Sequence, residues 1–287
     1  MRDYVIMTDS ASDIVPEILE KWGVPFVSLS YKFDDEAESH LNFERPFSEF
    51  YQKIREGGIA RTAAVNMSVF RDAFVEQLNK GVDLLYLGFS SGLSTTVHSA
   101  EMAAAELREE YPDRKILTVD TLAASAGQGL LVKLTVDRKN AGATIEEAAK
   151  FAEDTRLHID HWFTVDDLKY LKRGGRVSAT AAFVGSLLNI KPVLHMDNEG
   201  HLINMMKVRG RKASIKAIVD KYEELIIDRK EQVFICQGDC LEDAKYMESM
   251  LKERFNVPVQ IITEVGAVIG AHTGPGVLAL FFVGKER

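Results

Sequence analysis

The stretch Asp83-Leu84-Leu85-Tyr86-Leu87-Gly88-Phe89-Ser90-Ser91-Gly92-Leu93-Ser94-Thr95-Thr96 decides how the chain is read. Its first five residues are an apolar run of strand length, and residues 98–111 that follow are Ala-rich with helical spacing. The Gly, Ser and Thr between them form a turn from a buried strand into a helix. Helix N-termini leave backbone N–H groups unpaired and carry partial positive charge, so such a turn is an anion site, with its hydroxyls as extra donors. The same letters satisfy G-x-S-x-G through Gly88, Ser90 and Gly92, the nucleophile elbow of hydrolases. Binding and attack both remain open here.

Upstream of the turn, residues 4–9 read as a first strand, 9–13 as a helix-start cluster, 14–22 as a helix and 25–31 as a second strand, a βαβ opening. A polar, acidic connection over 32–43 leads to a helix at 46–55, stopped by Gly57-Gly58, and to a helix at 67–80 that ends at Gly81. Downstream, 115–120 is a strand and 122–138 and 144–159 are helices, the last opened by a Thr144-x-x-Glu147 capping box. Strands separated by helices predict a mostly parallel sheet with helices on both faces. The helix after Asp120 contains Gly127 and Gly129, each costing up to about 1 kcal/mol relative to alanine, so close packing or a ligand must compensate.

The second half changes character. A helical segment at 165–171 runs into Lys172-Arg173-Gly174-Gly175-Arg176-Val177, and 178–188 is an Ala-rich helix. Residues 193–196 and 202–208 form an antiparallel hairpin about a turn at 197–200. Helices at 212–227 and 241–255 alternate with strands at 232–236 and 259–263, and 277–283 is the last strand. The expectation is a two-domain α/β fold divided into 1–160 and 161–287, with a mostly parallel N-terminal sheet and a C-terminal α/β domain of mixed or antiparallel sheet.

With 46% hydrophobic residues in 287, the chain can bury a large core. Its first residues read as a strand rather than a leader, and its longest apolar run, 277–283, is too short to span a bilayer, so a cytoplasmic protein is expected. A net charge of −8 argues against nucleic acid as a partner. Cys236 and Cys240 are too few for a disulfide framework and lack zinc-site companions, so they read as inert thiols.

Five polar, Gly-marked clusters lie at strand ends or helix starts: Thr8-Asp9-Ser10, Arg61-Thr62, the stretch from Ser90 to Thr96, Arg173-Gly174-Gly175-Arg176, and Gly270-Ala271-His272-Thr273-Gly274-Pro275-Gly276. In an open parallel sheet, ligands bind beyond the carboxyl ends of the strands, where such loops converge. No phosphate loop or complete dinucleotide fingerprint is present, and His158 and His161 lack a third metal ligand at telling spacing. A hydrolase with Ser90, Asp120 and His272 has the right chain order. Against it, Gly92-Leu93-Ser94 puts extra residues before the helix and makes Ser94 and Thr95 cap residues instead of Ser90 a strained tip.

Taken as an ordered series, these clusters, with Val119-Asp120-Thr121 and Ile190-Lys191-Pro192, resemble the DegV family of bacterial fatty-acid-binding proteins over nearly the whole chain. The resemblance implies a long-chain fatty acid between two α/β domains, its carboxylate at the surface-facing end. It further implies that the protein is not an enzyme by itself but the lipid-presenting subunit of a fatty-acid kinase. The partner would supply ATP and metal and make an acyl-phosphate for phospholipid synthesis. No cofactor and no membrane span are implied, and transient contact with a membrane surface is compatible with the role. Carried onto this sequence, Thr62 and Ser94 bond the carboxylate, His272 and Arg176 lie near it, and Arg173 and Arg209 contact the kinase. Two departures stand out: Thr62 is followed by Ala63-Ala64-Val65 where Ser-Gln-Pro is common, and Thr95 replaces a usual glycine, narrowing the mouth or adding a donor. A carrier of another carboxylate or phosphate ligand is the remaining alternative.

Overall fold

The structure is a computed structural model that describes residues 3–177, 189–228 and 232–287. The helix expected at 178–188 lies outside the described residues. In chain order the first half contains β1 (Tyr4–Asp9), α1 (Pro16–Lys21), β2 (Phe26–Val27), β3 (Ser30–Phe33), β4 (His40–Leu41), α2 (Phe47–Arg55), β5 (Ala60–Ala63), α3 (Met67–Leu78), β6 (Asp83–Gly88), α4 (Thr96–Glu110), β7 (Ile116–Asp120), α5 (Ala126–Asn140) and α6 (Ile145–Thr155). The second contains β8 (Ile159–Thr164), α7 (Lys169–Arg173), β9 (Ile190–Met196), β10 (Leu202–Arg209), α8 (Arg211–Leu225), β11 (Phe234–Gln237), α9 (Leu241–Phe255), β12 (Ile261–Glu264), α10 (Ala267–Thr273) and β13 (Leu278–Val283).

The four strands β2-β1-β6-β7 form a wholly parallel sheet. Its central strand β6 is buried along its length, which is why residues 83–87 are a continuous apolar run instead of an alternating one. Phe70 and Phe74 of α3 and Val97 and Ala100 of α4 pack on one face, and Leu130 and Leu131 of α5 with Ala148 and Ala149 of α6 pack on the other. The second sheet, β10-β9-β8-β13-β11-β12, is antiparallel except for the β11–β12 pair. Along β13, Leu278, Leu280 and Phe282 face α8 and α9, while Ala279 and Phe281 belong to the same core as α5. The layers thus run helix, parallel sheet, α5, mixed sheet, helix, and the largest core is shared by both sheets.

A third, three-stranded antiparallel sheet, β4-β3-β5, was not foreseen. The apolar run at 25–31 serves two sheets: β2 pairs with β1, and β3 turns away to pair with β5. This small sheet and α2 pack on α10 through Tyr31, Phe50, Tyr51, Ala267 and Ala271, joining the two halves of the chain a second time. The division expected between 160 and 161 falls inside β8, which pairs with β13 along Ile159 to Thr164.

The helix expected from residue 122 begins instead at Ala126. Between β7 and α5 the backbone N–H groups are drawn away from helical bonding: Leu122 donates to Asp120, Ala123 to Thr121, Ala124 to the His161 ring and Ser125 to the Ala11 carbonyl. Leu122 and Ser125 stand at φ 48° and 54°, a conformation that such a network must hold in place. The capping box of α6 is present as expected, Glu147 N–H donating to Thr144 Oγ1 at 3.3 Å and Thr144 N–H to Glu147 Oε2 at 2.8 Å.

Candidate functional site

A cavity of about 510 Å³ opens beyond the carboxyl ends of β6 and β7 and is walled by the segments that follow those strands and by residues of the mixed sheet. Its body is apolar, formed by Leu29, Phe163, Leu171, Met196, Val277 and Phe281 among others. Thr62, Ser94, Thr95, Arg176 and His272 all line it, so residues separated by up to 210 positions share one chamber. Ser91, Ala63 and Ala64 line it as well, and the two alanines are exposed.

Each polar side chain is set by a local structural cause. Thr62 is placed by pairing of β5 with β3, opposite Tyr31. Ser94 accepts the Thr96 N–H at 3.2 Å and lies 2.9 Å from the Thr96 hydroxyl, at the first turn of α4; Thr95 is the exposed residue between them. His272 sits in the last turn of α10. The start of that helix is held by side chains from elsewhere: Asp13 accepts the Gly266 N–H at 3.0 Å, and Asn42 accepts the Val268 N–H at 2.9 Å.

The electrostatics at the polar end are incomplete. Arg176 donates through Nε and Nη2 to the Leu93 carbonyl at 3.3 and 3.0 Å and through Nη1 to the Gly174 carbonyl. Among the described residues it has no carboxylate partner, and burial holds its guanidinium below the ordinary range. His272 Nε2 lies 2.8 Å from Thr62 Oγ1, while Nδ1 is buried without a partner among the described residues. Burial, reinforced by the charges of Arg176 and Arg173, lowers the His272 pKa to about 4, so the ring is neutral at physiological pH. A half-buried cation and two or three hydroxyl donors at one end of an apolar chamber suit an amphiphilic anion.

The Thr8-Asp9-Ser10 cluster does not reach the cavity. It lies behind the wall as a fully buried hub with Asp13. Asp9 accepts from Ala11 N–H at 3.0 Å, the Tyr86 hydroxyl at 2.6 Å and Phe89 N–H at 2.9 Å. Asp13 accepts from the Ser125 hydroxyl at 2.6 Å as well as from Gly266. Burial outweighs these bonds and raises both carboxyls, Asp13 to about 7.

The nucleophile elbow is corrected. Ser90 is fully buried, donates to the Gly200 carbonyl at 2.9 Å and accepts Gly92 N–H at 3.2 Å. Asp120 accepts from Ser91 and Leu122 N–H, and His272 is paired with Thr62, so the three do not form a relay. The glycines of α5 are also explained by packing and not by room for a ligand: a Cβ on Gly127 would lie 2.3 Å from His161 Nε2, and one on Gly129 would lie 2.4 Å from Ile14 Cγ1. His161 Nδ1 bonds the Ile159 carbonyl and His158 Nδ1 the Gly284 carbonyl. Burial raises the pKa of Cys236 well above its ordinary value and that of Cys240 to about 11.

Arg173 is exposed on α7 with its guanidinium 5.3 Å from the Tyr170 ring centre, and its charge is felt at His272. Arg209 is exposed at the end of the edge strand β10. Neither lines the cavity. Sequence reasoning missed the wall residues His161, Phe163, Ala279 and Phe281; the small-large alternation of Ala279 and Phe281 within the last apolar run was the signal available for them.

Comparison with known proteins agrees with this architecture. The family model for DegV proteins matches residues 3–285. A DegV domain-containing protein of Clostridium perfringens is 42% identical over 289 residues, covering 100% of this chain and 99% of its own length. The crystal structure of a DegV family protein from Thermus thermophilus, described by its fatty-acid binding, superposes with a TM-score of 0.87 at 30% identity, over 99% of this chain and 100% of that one. A stearic-acid-binding protein from Eubacterium ventriosum superposes with a TM-score of 0.88 at 25% identity, over 98% of each chain.

Proposed function

The chain belongs to the DegV family, and on that premise we propose that its cavity holds one long-chain fatty acid with the carboxylate among Thr62, Ser94, Thr95, Arg176 and His272. Relatives of the same fold bind fatty acids, one of them stearic acid. The observation that carries the proposal for this chain is Arg176, a half-buried cation without an anionic partner among the described residues, at the polar end of an apolar cavity of about 510 Å³. Acyl burial supplies affinity at roughly 0.8 kcal/mol per CH₂ before ordering costs. The few polar groups decide which end faces out.

On this reading the protein is a cytoplasmic carrier. It presents the carboxylate to an ATP-dependent kinase, which brings nucleotide and metal and makes an acyl-phosphate that feeds phospholipid synthesis. Arg173, exposed beside His272, and Arg209 are the docking residues in this scheme. Organic extraction of the purified chain followed by mass spectrometry tests the binding step. About one fatty acid per chain is expected; a short polar acid, or a phosphate compound without an acyl tail, overturns it.

A further inference from the structure

Gly174-Gly175 reads in sequence as a simple helix stop, yet the two glycines answer to different constraints. Gly175 has φ +70°, and nothing lies within 4 Å of where its Cβ would stand, so its backbone alone requires glycine. Gly174 has φ −73°, which any residue adopts. A Cβ there would lie 2.1 Å from His272 Nδ1 and 3.1 Å from both Cε1 and Cγ of the same ring. The absent side chain is therefore the seat of the imidazole.

Pressed into that seat, Nδ1 is buried and has no partner among the described residues, while Nε2 faces Thr62 Oγ1 at 2.8 Å. Orphaned buried N–H groups are rarer than under-satisfied acceptors, because a donor has one hydrogen to place and no alternative. The neutral ring accordingly carries its proton on Nε2 and donates it to Thr62. A threonine hydroxyl that already accepts a hydrogen bond keeps its own hydrogen for a second partner. Thr62 lines the cavity, so that partner is whatever acid the cavity holds.

We propose that Gly174 is a positioning residue: it seats His272 with the proton on Nε2, and His272 thereby makes the Thr62 hydroxyl a dedicated donor to the ligand's acidic head group. The identity of the ligand rests on the fatty-acid reading; the state of the ring does not.

Two measurements test this. Nitrogen-15 NMR of the histidine-labelled, ligand-free chain at neutral pH is expected to show His272 with a protonated Nε2 and a bare Nδ1. A proton on Nδ1 overturns the proposal, and this measurement needs no variant to fold. Stearic-acid affinity is then compared in Gly174→Ala, His272→Asn and the double variant. Gly174→Ala should weaken binding roughly tenfold, the worth of one hydrogen bond to a charged group. The same change should have no further effect once His272 is Asn. A loss that persists undiminished in the double variant shows that Gly174 acts on something other than His272. If no fatty acid binds, the function proposed above fails, and the ring's tautomer still decides the positioning role.

Discussion

Two groups of buried or half-buried polar side chains, both drawn from clusters at strand ends or helix starts, differ in how they are satisfied. In the hub behind the cavity, both oxygens of Asp9 and both oxygens of Asp13 accept hydrogen bonds from the protein. At the cavity mouth, among the described residues, the Arg176 cation has no anion and His272 Nδ1 has no partner. A satisfied buried network holds a fold together, whereas an unsatisfied one beside a cavity is completed by something from outside. The difference separates structural from ligand-facing groups better than exposure does, since Thr62, Ser94 and His272 are themselves partly buried.

Substitutions at the two sites should behave oppositely. The largest effect is expected for Asp9→Ala, which strands the Tyr86 hydroxyl and the Ala11 and Phe89 N–H groups in the interior. At about 1–3 kcal/mol per orphaned donor, unfolding free energy should fall by roughly 3 kcal/mol or more, read by urea denaturation. A loss below about 1 kcal/mol would show that the hub is not structural. Next in size, Arg176→Met should weaken fatty-acid binding by about 1.5–3 kcal/mol while changing the stability of the ligand-free chain less, because the cation removed has no carboxylate partner among the described residues and bonds only the Leu93 and Gly174 carbonyls. Equal losses of affinity and stability in calorimetry and denaturation would place Arg176 with the hub instead. Ser94→Ala should show both kinds of effect at about 1 kcal/mol each, since its oxygen caps the first turn of α4 and also faces the cavity.

In pH dependence the sites differ in sign. Asp13 has its folded pKa raised to about 7, against about 3.9 unfolded, so between those values the folded state keeps a proton that the unfolded state has lost. Through Asp13, stability therefore falls as pH rises across that window. His272 has its folded pKa lowered to about 4, against about 6.5 unfolded, so its contribution is complete above 6.5 and is lost as pH falls through 4. Asp13→Asn should steepen the acid loss of stability and His272→Asn should flatten it. Melting temperatures measured from pH 4 to 7 decide the matter; slopes that shift the same way in both variants contradict the assignment.

The sequence was most legible where an element's own residues dictate it. β1, β6, β7 and β13 are apolar runs, and α3, α6, α8 and α9 carry helical periodicity, the second with its capping box. Elements created by distant partners were not legible. β5 is four residues of mixed type, and its extended form comes from pairing with β3. α10 contains Gly270 and ends at Gly274 with φ +72°, so it reads as a turn; Asp13 and Asn42, over 220 residues away, cap it into a helix. β8, Ile-Asp-His-Trp-Phe-Thr, mixes polar and apolar letters with no strand period, yet is buried on both faces. For the site, Thr62, Ser94, Thr95, Arg176 and His272 have no spacing that unites them; strand-end position grouped the clusters that hold them, and the family resemblance singled out the five residues, all of which line the cavity. Local reading assigned Thr8-Asp9-Ser10 to the same mouth, because a cluster's letters do not reveal whether its hydrogen bonds are already made.

One helix sets how the molecule comes apart. α5 lies between the two large sheets, and its Leu130, Leu131 and Val132 share a core with Ile6 and Leu87 on one side and Phe163 and Phe281 on the other. Neither sheet has a closed apolar face until this helix is in place, so the two halves of the chain stabilise each other and melt cooperatively, without an intermediate that keeps one half folded. Differential scanning calorimetry should record a single transition whose calorimetric and van't Hoff enthalpies agree; two resolved transitions would mean that each sheet holds its own core. Cooperativity of this kind would also make the ligand chamber an all-or-none feature, present only in chains whose first and last strands have both found their places.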